Sequence, residues 1–358
     1  MVGFLSSTIS ITISVSVLSS LLIITSTAAL SHPINSRATT YQTTGEKKYR
    51  TNHVNSIPNR RLSPPFPNGP CGGSIVTLPK EDTFGISERL NGNSFVLPPR
   101  DIQVWLPPEY TTIAQQHPVL FTHDGQNCMD DRDSWTGTSW RMMGALTRLQ
   151  ERGLLQGPTP IVVLLPSAKD DIIPGIVRRR HMEYAGDGVF AEAHYEFIAK
   201  TVKPLIDALF DTSPTESYAI GTSMGGQASL QLLLRYPDLF QGAACLSPAF
   251  DPATFAAVVQ QRSLLKNKKV YLDIGGDIGD EKVPFLDLLD HVTQEHWWNP
   301  GYFWLDTQLQ PAVEAMKWTL EMAGVNVDYQ QVAGGRHNER AWSQRIDLPL
   351  LHLLGKKP

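Results

Sequence analysis

Apolar and polar positions along the chain follow two rhythms. Unbroken apolar runs, PVLFTH (residues 118–123) and IVVLLP (161–166), predict strands buried on both faces. DIQVWL (101–106) alternates and stops at Pro107 and Pro108, which cannot continue a ladder. SIVTLP (74–79), NSFVLP (93–98), ESYAI (216–220), GAACLS (242–247), KVYLDIG (269–275) and NVDYQQV (326–332) read as further strands, with 88–92 as a turn. Between them the apolar spacing becomes helical, over 139–152, 192–210, 308–323 and 342–354, with Pro204 kinking or dividing the second. From Gln227 the helical spacing sets Leu230, Leu233 and Leu234 on one buried face. Strands alternating with helices predict an α/β fold, a mainly parallel central sheet with helices on both faces. In such sheets ligands bind outside the carboxyl ends of the strands.

The first thirty residues break both rhythms. They are apolar, rich in Ser and Thr, and carry no charged side chain. Residues 1–30 are read as a signal peptide ending near Ala28 and Ala29, or as an N-terminal membrane anchor. Residues 31–73 are rich in Ser, Thr, Asn, Pro and basic side chains, with Glu46 the sole acid. That composition predicts a disordered linker, a propeptide or a transit segment. The folded domain is expected over 74–358, in a protein that is secreted or sent to an endomembrane or organelle. Membrane contact is expected only if the N-terminal segment is retained.

Composition narrows the classes of function. With 41% hydrophobic and 18% charged residues in a chain of 358, one large globular domain is expected. Net charge is −4 and the folded part has no long basic run, which argues against a nucleic-acid partner. Cys71, Cys128 and Cys245 are the only cysteines. They form no zinc pattern, and a Cys71–Cys128 bridge is conceivable only in an exported protein. No metal or other cofactor is called for.

The reactive residues follow strands. Asp124-Gly125-Gln126-Asn127 follows PVLFTH, and Ser223 follows ESYAI within Gly221-Thr222-Ser223-Met224-Gly225-Gly226. A strand reversing into a helix at a serine flanked by glycines is the G-x-S-x-G nucleophile elbow. Asp277 and Asp280 follow KVYLDIG, and His337 follows NVDYQQV after Gly334 and Gly335. The order serine, acid, histidine is that of the α/β-hydrolase architecture. A hydroxyl needs a base to remove its proton, and imidazole titrates near working pH. Ser223 is thus the candidate nucleophile and His337 the base. Asp277, nearest the strand end, is the preferred acid, with Asp280 its rival. Backbone N–H groups of Gln126 and Met224 are the candidate oxyanion donors. Asp273, within a strand, and His123, closing one, are read as structural. Asp124 is expected to accept hydrogen bonds from its own loop.

Three motifs together, HDGQN, GTSMGG and GGRHNERAW, resemble the "putative esterase" family of α/β-hydrolases over residues 95–355. That family includes feruloyl esterases, enterobactin esterases, S-formylglutathione hydrolase and mycolyltransferases. The resemblance implies acylation of Ser223, a base at His337, an acid after KVYLDIG and an oxyanion donor in Gly125-Gln126. It departs at the acid, where this chain reads GGDIGDE, and in the long segment 283–309. Five aromatics crowd into residues 296–304 of that segment. They predict either a satellite core or an aromatic-rich insertion capping the site, with Trp298 and Trp304 binding substrate. Trp135, with Trp140, is expected to line the opposite wall. The run Arg178-Arg179-Arg180 reads as a solvated charge run rather than an anion site.

The expected activity is hydrolysis of a small-molecule carboxylic ester through an acyl-enzyme, by a monomer or weak oligomer. Acyl transfer from the same intermediate is the alternative. A non-catalytic binding protein on the same fold is a third reading, which no missing residue supports.

Overall fold

Every strand of the main sheet is a run whose alternate residues can be buried on opposite sides. The computed structural model describes residues 61–80, 83, 97–134, 136–285, 288 and 300–356. They belong to one unit, Asn52–Pro358. In chain order the strands are β1 (Ser74–Leu78), β2 (Ile102–Leu106), β3 (His117–His123), β4 (Ile161–Leu165), β5 (Asp171–Ile173), β6 (Val177–Arg178), β7 (Thr212–Thr222), β8 (Gly242–Leu246), β9 (Lys269–Ile274) and β10 (Asn326–Gln331). The α-helices are α1 (Met142–Glu151), α2 (Arg179–Glu183), α3 (Val189–Phe197), α4 (Lys203–Leu209), α5 (Met224–Arg235), α6 (Pro252–Gln261), α7 (Leu305–Met322), α8 (Glu339–Arg345) and α9 (Asp347–Leu354).

The sheet order is β1-β2-β4-β3-β7-β8-β9-β10. β1 with β2 and β2 with β4 are antiparallel, and every other neighbouring pair is parallel. β5 and β6 form a separate two-stranded ribbon after β4. The two apolar cores explain the unbroken runs. Val119, Phe121, Val163, Ala243 and Cys245 enter one core, while Leu120, Val162, Leu164, Ala244 and Leu246 enter the other. A strand covered on both faces by helices needs apolar residues at every position, so β3, β4 and β8 are buried along their whole length.

Two elements differ from the sequence reading, and a third divides near Pro204 as that reading allowed. The helix expected over 192–210 is two α-helices, α3 and α4, joined by a π-helical turn at Ile198–Val202. Pro204 sits in the first turn of α4, where a missing N–H is tolerated, whereas inside one long helix it would break the ladder. The closing helix over 342–354 is α8 and α9, separated at Ile346. The segment expected to be a linker up to residue 73 is tied to the domain from residue 61. Leu62 N–H donates to the Leu209 carbonyl at 3.0 Å, and the Trp105 indole to Pro70 at 3.1 Å. The readings of residues 1–30 and of most of 31–73, and most of the strand and turn proposed over 88–98, lie outside the described residues.

Candidate active site

The elbow follows from what glycine permits between β7 and α5. A Cβ on Gly221 would lie 2.3 Å from the Gly225 carbonyl, so strand and helix meet only without one. Ser223 takes φ 55° and ψ −126°, a conformation that costs a non-glycine residue about 1–3 kcal/mol. Its N–H donates to the Leu246 carbonyl of β8 at 2.9 Å, and its carbonyl accepts from Gly226 at 3.0 Å. These bonds hold the backbone in that shape. The hydroxyl stands at the apex, half-buried. Met224, first residue of α5, has one of the amides that a helix start leaves without a carbonyl.

The loop after β3 turns through Asp124 at φ 55° into a 3-10 turn, Gly125–Asn127. A Cβ on Gly125 would lie 2.6 Å from the Leu164 backbone, so the loop hugs β4. The Gln126 amide reciprocates with Ser167, donating at 2.9 Å and accepting at 3.2 Å. Asp124 is buried and receives Arg180 Nε and Nη2, both at 2.7 Å. Burial alone would push its carboxyl up, but the Arg180 guanidinium outweighs this and holds it below the usual carboxylate value. Asp124 Oδ2 also abuts Gly225, where a Cβ would come within 2.9 Å. The arginine run is therefore solvated only at Arg178. Arg179 and Arg180 are buried, and Arg179 pairs with Asp170 at 2.7 Å. The Asp124 carbonyl accepts the Asn127 N–H of its own loop at 2.8 Å, while its carboxylate is held by an arginine of the next crossover.

His337 follows β10, on a loop clamped to the one after β9. Gly276 N–H donates to Gly335 at 2.7 Å, and Gly334 N–H to Gly276 at 2.9 Å. The buried imidazole sets Nδ1 2.7 Å from Asp306 Oδ1. With Nδ1–H donated to the carboxylate, Nε2 is left as the basic nitrogen. It has no hydrogen-bond partner among the described residues. The Trp342 ring packs edge-on at 5.1 Å and Tyr302 at 5.9 Å between centroids. Burial opposes ionisation of Asp306, but the imidazole, Arg345 and the Ser247 hydroxyl together keep its carboxyl below the ordinary value.

Asp306, in the first turn of α7, thus takes the place expected of Asp277 or Asp280. Asp277 Oδ1 accepts the Val283 N–H at 2.9 Å and its own N–H donates to Thr307 Oγ1 at 2.9 Å, so it shapes its loop. Asp280 is exposed. Gly275, the first of the two glycines before Asp277, serves Asp306 instead, while Gly276 passes close to Thr307. Gly275 N–H donates to Asp306 Oδ2 at 3.0 Å, and a Cβ there would lie 2.4 Å from that oxygen. The available signal was a carboxylate on the apolar stripe of α7, where Asp306, Val313, Met316 and Leu320 are the buried positions. Glu339 was also missed. Buried in α8, it receives Asn127 Nδ2 at 3.1 Å and Thr136 Oγ1 at 2.9 Å, joining the HDGQN loop to the histidine loop.

Of the expected aromatic wall, Trp135 and Trp298 lie outside the described residues. Trp304 is 39% exposed and packs on the buried Phe303, while Tyr302 is the insertion residue that meets the imidazole. Trp140 is a core residue, not a wall. All three cysteines are free thiols, so no Cys71–Cys128 bridge is present. Asp273 is hydrogen-bonded within the core, as expected.

His123, read as structural, ends β3 beneath the site. The Ser229 hydroxyl donates to Gly225 at 2.9 Å, so His123 Nδ1 must be the donor to Ser229 at 3.0 Å. Burial pushes His123 down to about 4 and His194 well below its ordinary value. Both rings are neutral when folded and take up protons on unfolding below about pH 6.5. Stability should therefore fall as pH drops from about 6.5 toward 4, by roughly 1 kcal/mol per pH unit for each ring. Urea midpoints measured between pH 7 and pH 5 should decline, and less steeply in His194→Gln.

The comparisons bear on the family and the fold. The family model described as "Putative esterase" matches residues 98–353. An uncharacterized protein of Bacillus subtilis (strain 168), YbbA, is 24% identical over 208 residues, 55% of this chain and 74% of its own length. Among solved structures, the enterobactin esterase FES from Shigella flexneri superposes with a TM-score of 0.53 at 16% identity, over 80% of this chain and 59% of that one. A ferulic acid esterase superposes at 0.50 with 14% identity, over 78% and 98%. At such identities the superpositions speak for the fold, while the family model covers most of the described domain. The chain belongs to the esterase family, a carboxylic ester hydrolase on the α/β-hydrolase fold.

Proposed function

We propose that the chain hydrolyses a small-molecule carboxylic ester through an acyl-enzyme on Ser223, with His337 as base and Asp306 as its orienting carboxylate. The observation that carries this reading is the buried His337–Asp306 pair at 2.7 Å, with Nε2 unclaimed by any described residue. His337 Nε2 takes the hydroxyl proton as Ser223 Oγ attacks the ester carbon. Asp306 holds the imidazolium in orientation and does not itself take the proton. The N–H groups of Met224 and Gln126 receive the developing oxyanion. Each such donor is worth about 3–4 kcal/mol in serine hydrolases. The imidazolium then protonates the departing alkoxide. Water, deprotonated by the same nitrogen, releases the acid and restores the serine.

Fast mixing with p-nitrophenyl acetate should give a burst of about one nitrophenolate per enzyme before the steady state. Ser223→Ala should abolish the burst and lower turnover by several powers of ten. A wild-type time course with no burst and unaltered turnover in Ser223→Ala would reject the acyl-enzyme.

A further inference from the structure

Behind Asp306 lies a buried polar cluster that the acyl-transfer chemistry does not use directly. Its centre is Ser247, which follows β8 with φ 42°, a left-handed value that a non-glycine residue rarely takes. Its hydroxyl donates to Asp306 Oδ2 at 2.9 Å. Ser247 Oγ in turn accepts Trp342 Nε1 at 3.1 Å and Arg345 Nη2 at 2.8 Å. Arg345 also reaches both oxygens of Asp273, Nε at 3.0 Å and Nη2 at 3.1 Å. Asp273 further receives the Ser247 N–H at 2.9 Å and the Tyr271 hydroxyl at 3.1 Å. Ser247, Asp273, Asp306, Arg345 and Tyr271 are all buried.

Such a cluster is costly unless every charge is answered. Two carboxylates share one guanidinium, so with both ionised the cluster holds one negative charge in excess. A protonated His337 would cancel it. Arg345 lies within electrostatic reach of both carboxylates, and Asp306 of Asp273. The other groups around the imidazole are the Tyr302 and Trp342 rings and the neighbouring Arg336.

We infer that Ser247, Asp273 and Arg345 are positioning residues that fix the basicity of Asp306, and so the pH below which His337 ceases to act as base. This rests on His337 and Asp306 serving Ser223 as proposed above. The cluster works by sharing. The Ser247 hydroxyl spreads the Asp306 charge, and Asp273 draws off part of the Arg345 charge that would otherwise fall on Asp306.

The two arms predict opposite shifts. Ser247→Gly removes the hydroxyl, and glycine accepts the positive φ, so the fold is retained. Asp306 is then more basic and grips the imidazolium proton harder. The acid limb of kcat/KM should move up by roughly half a pH unit. With the imidazole less firmly aimed, kcat should fall about tenfold at unchanged KM. Asp273→Asn removes one negative charge and leaves Arg345 facing Asp306 alone, so the acid limb should move down. If Asp273→Asn does not fold, Tyr271→Phe replaces it. Stripping one donor from Asp273 makes that carboxylate compete harder for Arg345, which moves the limb up. Circular dichroism and fluorophosphonate labelling accompany each variant. Limbs that superimpose on wild type, or lower kcat without a shift, would overturn the inference while labelling of Ser223 persists. Absence of labelling in wild type would instead overturn the reading it rests on.

Discussion

Asp306→Asn should lower kcat for ester hydrolysis about 10⁴-fold with little change in KM, the size of effect seen when a triad carboxylate becomes an amide. The amide can present its NH₂ to Nδ1, which favours the wrong tautomer and leaves Nε2 protonated. It also withdraws the negative charge that balances the imidazolium. Asp277→Asn should leave kcat within about threefold of wild type, the range of substitutions away from buried networks. Its oxygen bonds the Val283 N–H, which an amide oxygen can also accept. Steady-state assays of both variants on one aryl ester compare the two carboxylates directly. A large loss in Asp277→Asn with little in Asp306→Asn would mean that the loop after β9, not the His337 pair, supplies the needed charge, and equal losses would deny Asp306 its distinct role.

The second large effect concerns stability. Arg180→Met leaves Asp124 buried beside Gly225 without a cation. Breaking one side of a buried pair costs about 3–5 kcal/mol, and this pair is bidentate and stacked 4.9 Å over the Tyr184 ring. The urea midpoint should fall accordingly. The double variant Asp124→Asn with Arg180→Met should recover part of the loss, because the unanswered charge is gone. What remains folded should still turn over about 10²-fold more slowly, since the loop proposed to aim the Gln126 N–H has lost its charged tether and keeps the Ser167 and Glu339 bonds. A double variant as unstable as the single one would show that packing of the arginine stem, rather than charge, holds the loop.

What could be read from the sequence was local. β3 and β4 stood out because a strand buried on both faces must be apolar throughout. The elbow stood out because its glycines and serine are consecutive. The histidine stood out because its glycine approach lies next to the last strand. The carboxylate proposed to orient it did not, because Asp306 reaches His337 from a helix rather than from the end of β9. Along the chain it follows an aromatic segment and looks like an ordinary acid in a helix's first turn. Only its position on the buried stripe of α7 marks it. The GGD after KVYLDIG misled for a related reason: Gly275 makes room for the Asp306 carboxylate, and Asp277 only shapes the loop. The arginine run misled because three consecutive charges are usually solvated. Here two of them are buried against carboxylates from other loops, Asp124 and Asp170, which no spacing rule connects.

The most direct test is to label the protein with a fluorophosphonate and map the modified peptide by mass spectrometry. One phosphonyl group on Ser223 is predicted, at a rate that Asp306→Asn reduces strongly and Asp277→Asn does not, with none in Ser223→Ala. A label on another residue, or equal labelling rates in the two aspartate variants, would contradict the account.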